Sequence, residues 1–500
     1  MGARAASLVE NQFADKRWRI NNLYRVVNEG GIAEPFRMNW AQEALFSEMW
    51  YLNLILKARQ LGFTTFIALY MLDECVFNSN VRAGLIAHNL NDAKIIFRDK
   101  VKFPYDNLPA EIRNIRSTVE DSADCLTLTN NSSLRVGTSL RSGTNHYLHV
   151  SEYGKICAKY PEKAKEIRTG ALNTVHKGQI IWIESTAEGQ GGDFFEKCEE
   201  AQAESRRQDR LTELDFKFHF FPWWRHPEYR IDPEGIVIEK RLTDYFAKLA
   251  EVGIILDDEQ RAWYAKKEKQ QKAEMRREFP STPEEAFEGV VEGSIYGEYI
   301  ADAEEDGRIC ELPVETGVAV ETWWDLGQSG AGNSMEIWFV QRVGPWFHVI
   351  DHYSHFGKGL QHYAEILQEK QKERRLVYSN HAWPHDGKVR ILDEKGRTRQ
   401  AVMGDLGYEV QIVERGDVGD GIEAVRNLLP KCRFDRARTA KGLSALKAYQ
   451  YEWDDAKSIW SKVPLHNWAS NGADAFRTGA MFKPPKRSFQ KLEYRKLPIA

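Results

Sequence analysis

Three stretches of this chain hold residues whose types and order suit chemistry on phosphates. The first is Lys57-Ala-Arg59-Gln60-Leu-Gly62-Phe-Thr64-Thr65, between an apolar run and a run with helical spacing. A turn that feeds a helix N-terminus presents backbone N–H groups without intrahelical partners, and anionic oxygens bind there. Against the phosphate-loop pattern GxxxxGK followed by Ser or Thr, Lys57 occupies the first glycine, Gly62 the second and Phe63 the lysine position, while Thr64 keeps the metal-facing hydroxyl. An ordinary strand-turn-helix junction reads the same way. The second stretch is Tyr147–Val150 running into Ser151-Glu152. A carboxylate at the end of a parallel strand beside a phosphate loop is placed to polarise the water that attacks a γ-phosphorus, which makes Glu152 the candidate base. Ser151 stands where an aspartate usually helps to hold Mg2+, so more of that task falls to Thr64. A nearby apolar run, Ile180–Ile183, ends in Glu184-Ser185-Thr186-Ala187-Glu188, whose hydroxyls and acids suit sensing of the γ-phosphate or simple capping.

The third set is acidic and dispersed: Asp325 after an aromatic run in Thr322-Trp-Trp-Asp325-Leu-Gly327, Asp386 in His385-Asp386-Gly387, and Asp474 in Asn471-Gly-Ala-Asp474-Ala-Phe-Arg477. Each alone is more often a cap or a surface charge. Three carboxylates meeting at one end of a sheet form a hard oxygen pocket for one or two Mg2+ or Mn2+ ions, which suits phosphodiester hydrolysis. Asp351, after Trp346–Ile350, is the rival for the middle position and ranks below Asp386. Lys388 is a candidate for steering DNA or bracing the acids, and His385 reads equally well as a buried hydrogen-bonding residue.

The elements that must position these groups follow from hydrophobic period. Between Phe36 and about Phe221, short apolar runs at Leu54–Leu56, Val81–Ile86, Cys125–Thr129, Tyr147–Val150 and Ile180–Ile183 alternate with helical stretches, the pattern of a parallel sheet with crossover helices. Phe66, Leu69, Tyr70 and Leu72 return at helical spacing. From Pro222 to Pro313 strand signals nearly vanish. Arg261–Glu278 carries seven Lys or Arg against three acids, a local +4 that usually marks a solvated helix face. A second strand-rich region opens with VAVETWWDLG, turns at Gly344 between two strands, and holds a further strand ending at Leu376-Val-Tyr378. Asp474 is expected to open a C-terminal helix.

Composition bounds the reading. Five hundred residues with 42% apolar, 28% charged and 12% aromatic content suffice for two large domains and exclude a small scaffold or a disordered chain. The 69 basic and 73 acidic residues give −4, which neither marks nor forbids a nucleic-acid enzyme. Six dispersed cysteines, the nearest pair being Cys125 and Cys157, fit a reducing interior and lack zinc-ribbon spacing. MGARAASLVE is not a secretion signal, and Trp50–Leu56 and Phe66–Leu72 are too short to cross a bilayer. The last twenty residues hold six basic groups and one acid with interspersed aromatics.

These motifs resemble the large terminase subunit of tailed bacteriophages or prophages, the ATPase and nuclease that packages DNA. The family's RQxGxT phosphate loop is matched by Arg59-Gln60-Leu61-Gly62-Phe63-Thr64 with Lys57 at its start, its Ser-Glu motif by Leu148-His-Val-Ser151-Glu152, its coupling motif by Glu184-Ser185-Thr186-Ala187, and its adenine-side glutamine by Gln42. The Phe279-Pro-Ser-Thr-Pro-Glu-Glu-Ala-Phe287 segment is another family-like landmark, and the resemblance runs from about Phe36 to Met481. It implies an α/β fold with a P-loop NTPase-like parallel sheet followed by an RNase H-like mixed α/β nuclease domain. The expected boundaries are 1–35 for a helical lead, 36–224 for the ATPase motor, 225–313 for a helical linker, 314–481 for the nuclease and 482–500 for a basic tail. It implies ATP and Mg2+ as cofactors, with Mn2+ an option at the nuclease site. Gln42, Lys57, Arg59, Gln60, Gly62, Thr64 and Thr65 would contact nucleotide, with Lys57 or Arg59 replacing the missing loop lysine. Glu152, Arg59, Asp325, Asp386 and Asp474 would be catalytic, the three aspartates and Thr64 holding metal. Implied partners are double-stranded viral DNA, a portal protein, a small terminase subunit and further copies in a homo-pentamer, with no membrane. The implied location is the host cytoplasm and, transiently, the procapsid vertex, with absence from the mature virion. Rival readings are a helicase-like or repair ATPase with an attached nuclease, and a non-enzymatic procapsid component with degenerate sites.

Overall fold

The computed structural model describes residues 12–141, 143–207, 210–288, 293–327, 334–389, 397–454 and 459–484. The start of the helical lead and most of the basic tail lie outside the described residues. The chain divides into two compact units, Met1–Ser294 with Gln450–Asn467, and Ile295–Tyr449 with Trp468–Ala500. The helical stretch after position 225 therefore lies largely within the first unit.

The first unit is built on eight strands: β1 (Leu52–Lys57), β2 (Arg82–Ile86), β3 (Thr118–Asp121), β4 (Cys125–Leu128), β5 (Ser133–Gly137), β6 (Asn145–Ser151), β7 (Val175–Ser185) and β8 (Phe216–Phe221). Their order is β8-β1-β7-β6-β2-β5-β4-β3; every pair from β8 to β5 is parallel, and β4 and β3 close the edge antiparallel. Alternation explains the two buried faces: Leu54 and Leu56 enter one core cluster with Leu148, Val150 and Ile183, while Ile55 enters the other with Leu85 and Trp182. Full burial of each such side chain contributes about 1.5–3 kcal/mol.

Four helices matter for the site. α1 (Trp40–Glu48) is opened by a capping box of Asn39 and Gln42. α2 (Phe63–Phe77) starts after Gly62, has no side-chain cap, and buries Phe63, Phe66, Ile67, Leu69, Met71 and Leu72 around its circumference. α3 (Leu90–Phe97) follows β2, and α4 (Tyr153–Lys159) follows β6. Further on, α5 (Lys240–Glu251) and α6 (Asp258–Gln271) occupy the strand-poor stretch. A hairpin of Tyr451–Asp454 with Ile459–Pro464 also belongs to this unit.

The second unit holds β9 (Ile309–Cys310), β10 (Val320–Asp325), β11 (Ser334–Val343), β12 (Trp346–Phe356), β13 (Tyr378–Trp383), β14 (Val410–Ile412) and β15 (Cys432–Asp435) in the order β9-β15-β12-β11-β10-β13-β14. β10, β11 and β12 form an antiparallel meander, and β13 and β14 add in parallel beside β10. This is the RNase H-like order, and the first sheet is P-loop NTPase-like, so the α/β class is as expected. Gly344, at φ +58°, makes the expected turn between β11 and β12. The strand expected to end at Tyr378 instead begins there, because Leu376 N–H bonds to the Gln371 carbonyl and closes α7 (Leu360–Arg374). α8 (Ser470–Met481) begins four residues before Asp474, which therefore sits in its second turn and does not open it.

α8 packs on β10 through a glycine. A Cβ on Gly479 would lie 1.8 Å from the Trp323 ring, closer than atoms can approach. Trp338 on β11 also donates its indole N–H to the Gly472 carbonyl at 2.9 Å. Gly479→Ala is expected to destabilise the chain by about 1–3 kcal/mol through overpacking, read as a lower denaturation midpoint; an unchanged midpoint would show that α8 can move off the sheet freely.

Candidate functional site

In the first unit, parallel strands bring distant residues to one edge. β1 ends at Lys57, β6 at Ser151 and β7 at Ser185, so Lys57, Glu152 and Glu184 meet. Lys57 Nζ lies 3.2 Å from a carboxylate oxygen of each acid. Thr64 donates its hydroxyl to Glu184 Oε1 at 3.0 Å, Ser151 does so at 2.7 Å, and His149 Nε2 lies 3.4 Å from the same oxygen. Glu184 is fully buried. Against that burial, the Lys57 charge and then the His149 hydrogen bond hold its carboxyl well below the usual range. Likewise against burial, Glu152 and then Glu184 hold the Lys57 ammonium above its ordinary value.

The loop between β1 and α2 is shaped for close approach. Gln60 and Gly62 have φ of 63° and 71°. The Gln42 side-chain amide donates to the Gly62 carbonyl at 2.8 Å, and a Cβ at position 62 would meet that amide nitrogen at 2.7 Å. Gly62 brings no side-chain acceptor to the first turn of α2. Gln60 is exposed and Thr65 half-buried.

Arg59 points elsewhere. Its guanidinium pairs with Glu278 at 3.0 Å and its backbone N–H bonds to the Glu278 carbonyl. Glu278 pairs with Arg277 at 2.9 Å, and Arg277 with Glu188 at 2.8 Å. The structure therefore separates the two basic candidates: Lys57 lies among the acids, and Arg59 lies on a chain of charges leading to the segment after β7. Sequence reading missed Glu184 as the hub and missed Arg277 and Glu278 altogether. An acid ending a strand beside β1 was the available signal for Glu184; the contacts of Arg277 with Glu188 and of Glu278 with Arg59, 89 and 219 residues apart, had none.

In the second unit, Asp325 ends β10 opposite Glu336 of β11, Asp386 lies in the turn after β13, and Asp474 lies on α8. Burial, then the Asp474 charge, and further Asp386 and Glu336, push Asp325 well above the usual carboxylate range, against a hydrogen bond from the Gly327 N–H. Asp474 and Asp386 thus both act on Asp325. Among the described residues, however, no group of three or more His, Cys, Asp or Glu side chains is close enough to hold a metal ion. Asp474 pairs with Arg477 at 3.1 Å, and Arg399 lies 3.9 Å from Asp386. Carboxylates are the hard oxygen donors that Mg2+ or Mn2+ takes, so the residue types suit either ion although the described side chains do not form a closed cluster. Asp351 is neutralised instead by Lys370 at 2.6 Å and Arg374 at 3.0 Å, one helical turn apart on α7. Glu336, not singled out from sequence, accepts from Ser354 at 2.6 Å and from Ser334, with His352 Nε2 at 2.8 Å.

No protein-family profile matches this chain, and no curated protein does. Solved structures similar to it include the large terminase of a thermophilic bacteriophage, at 12% identity and a TM-score of 0.29, covering 89% of this chain and 98% of that one. The Thermus phage P74-26 large terminase ATPase domain is similar at 16% identity and 0.31, covering 49% and 93%. The nuclease domain of the bacteriophage SPP1 large terminase with bound Mn is similar at 14% and 0.26, covering 34% and 92%.

Burial first, then Glu278 and Glu152, raise Glu188 to about 7 despite Arg277. A carboxyl raised in the folded state contributes stability that is complete below its ordinary 4.5 and is lost as pH rises through about 7. Wild type is expected to lose stability relative to Glu188→Gln between those pH values in thermal denaturation; a gap that stays constant across the range would contradict the assignment.

Proposed function

We propose that this chain is a viral DNA-packaging terminase large subunit, an ATPase that drives double-stranded DNA into a procapsid and a nuclease that cuts concatemeric DNA. The observation that carries the reading is the meeting of Lys57, Glu152, Glu184 and Thr64 where a parallel strand feeds an uncapped helix. That edge suits a nucleoside triphosphate: backbone N–H groups of the loop would receive phosphate, Gln42, bonded to the Gly62 carbonyl, would lie toward the adenine, and Lys57 would offset charge developing on the transferred phosphoryl group. Glu152 is the proton acceptor for the attacking water. Arg59, released from Glu278, would add a second cation, and Gln60, Gly62 and Thr65 complete the loop.

Asp325, Asp386 and Asp474 would hold Mg2+ or Mn2+ in the second unit and Thr64 would hold Mg2+ in the first, where a bound ion supplies Lewis-acid stabilisation of charge on phosphate oxygens. The remaining proposals follow from the terminase reading: division into lead, motor, linker, nuclease and tail, docking on a portal protein at the procapsid vertex, a small terminase subunit as partner, and a homo-pentamer during packaging in the host cytoplasm, with absence from the mature virion.

Separable chemistry tests the reading. Glu152→Gln is expected to lower ATP turnover by at least about a hundredfold, the lower range for loss of general acid–base help, while metal-dependent DNA cleavage persists. Asp325→Asn is expected to do the reverse. Steady-state ATPase and plasmid-nicking assays on both folded variants decide it, and loss of both activities in each variant would overturn the division of labour.

A further inference from the structure

At the same edge of the first sheet, beyond the phosphate loop, the turn after β2 and helix α4 enclose a cavity of about 450 Å³. That is the size of a small-ligand site. Its charge is one-sided. Lys155 and Lys159 stand one turn apart on α4 and both line it, with His88 and Asn91 from the turn opposite. Lys163 donates to the His88 carbonyl at 2.7 Å. The counter-charge facing His88 is Asp92, at 3.0 Å. Burial and then the Lys155 charge, with Lys163 and Lys159 adding and Asp92 opposing, lower the His88 imidazole. Among the described residues Lys155 has no hydrogen-bond or ion-pair partner, so its ammonium is available.

The remaining wall is aromatic. Trp453 of the hairpin lines the cavity, and Lys159 Nζ lies 4.7 Å from its ring centroid and 4.6 Å from that of Trp460. Cations beside an aromatic face recur where proteins hold nucleic-acid strands, the lysines taking the backbone and the rings taking a base or sugar. An acidic peptide would use the lysines and leave the aromatic wall without a matching partner. We propose that this cavity binds a backbone phosphate of a DNA strand, with Lys155 and Asn91 as its phosphate contacts and Trp453 beside the adjoining nucleoside. The choice of DNA rests on the packaging reading above; the recognition of phosphate does not. α4 begins directly after Glu152, so a strand held by Lys155 would press on the helix that carries the candidate base at its start.

The test uses the full chain with a short fluorescein-labelled DNA duplex, read by fluorescence anisotropy over a series of NaCl concentrations. Lys155→Glu is expected to weaken binding about tenfold at low salt, and to reduce the log–log salt slope by about one, the signature of one lost phosphate contact. ATP turnover without DNA should be unchanged. Asn91→Glu, at an exposed position, should weaken binding in the same direction. Wild type that binds DNA with an affinity and slope that neither variant alters overturns the site while leaving the packaging reading in place. Wild type that hydrolyses ATP but binds no DNA overturns that reading as well. Two further results overturn the DNA assignment: poly-glutamate displacing DNA as effectively as unlabelled duplex, or free ATP affinity falling as much as DNA affinity in Lys155→Glu.

Discussion

The first unit depends on one buried carboxylate. Glu184 is shut off from solvent, and an unpaired ion in such a place costs several kcal/mol. Its charge is met by the Lys57 ammonium and by hydroxyls from Thr64 and Ser151, so the ends of β1, β6 and β7 and the start of α2 are tied to a single group. Removing any one partner leaves the acid less compensated, which is why the phosphate loop, the Ser-Glu motif and the strand after it must be read as one object. The same bond set leaves two carboxylates, Glu152 and Glu184, sharing one lysine. The nucleotide site proposed above would therefore need additional positive charge, and Arg59, the other basic residue of the loop, is held by Glu278.

The second unit carries an imbalance of the same sign, an excess of carboxylate around Asp325. Asp325 is raised by its own burial and by neighbouring acids, and the cations nearby, Arg477 and Arg399, engage Asp474 and Asp386 rather than Asp325. A sheet does not gather acids in this way for stability, because each desolvated carboxylate without a partner weakens the fold. The placement is maintained by packing: Trp323 against Gly479, Phe476 edge-on to Trp323 and Trp338, and the Trp338 bond to the Gly472 carbonyl keep α8 on β10 and β11.

Much of the scaffold was legible because parallel strands buried on both faces announce themselves as apolar runs. Leu54–Leu56, Tyr147–Val150 and Ile180–Ile183 all fall within observed strands. The misplaced strand near Tyr378 shows where that signal fails. β13 reads YSNHAW, and its polar members are satisfied sideways, as where Thr322 and His381 meet at 2.6 Å. The apolar letters just before it serve other ends: Leu376 covers the end of α7, and Val377 is exposed. Edge strand β3, TVED, is exposed along its whole length and carries no periodic signal. Within the site, the residue types were legible one motif at a time. Their partners were not, since Lys57 with Glu184 and Arg59 with Glu278 are joined only by tertiary structure.

Strand direction supports the proposed choice of Asp386 over Asp351. β10 and β13 are parallel, with Trp323 level with Ala382, so the residues just past their ends, Asp325 and the turn holding Asp386, emerge at the same edge. β12 is two strands away on the other side. The residue there that is level with Asp325, through Glu336, is Ser354. Asp351 lies three residues earlier, which at about 3.4 Å per residue is roughly 10 Å short of that edge. It also faces Lys370 and Arg374, so its charge is already spent within the fold. Spacing along the chain places Asp351 closer to Asp325, whereas the sheet brings the turn holding Asp386 to the edge where Asp325 ends its strand.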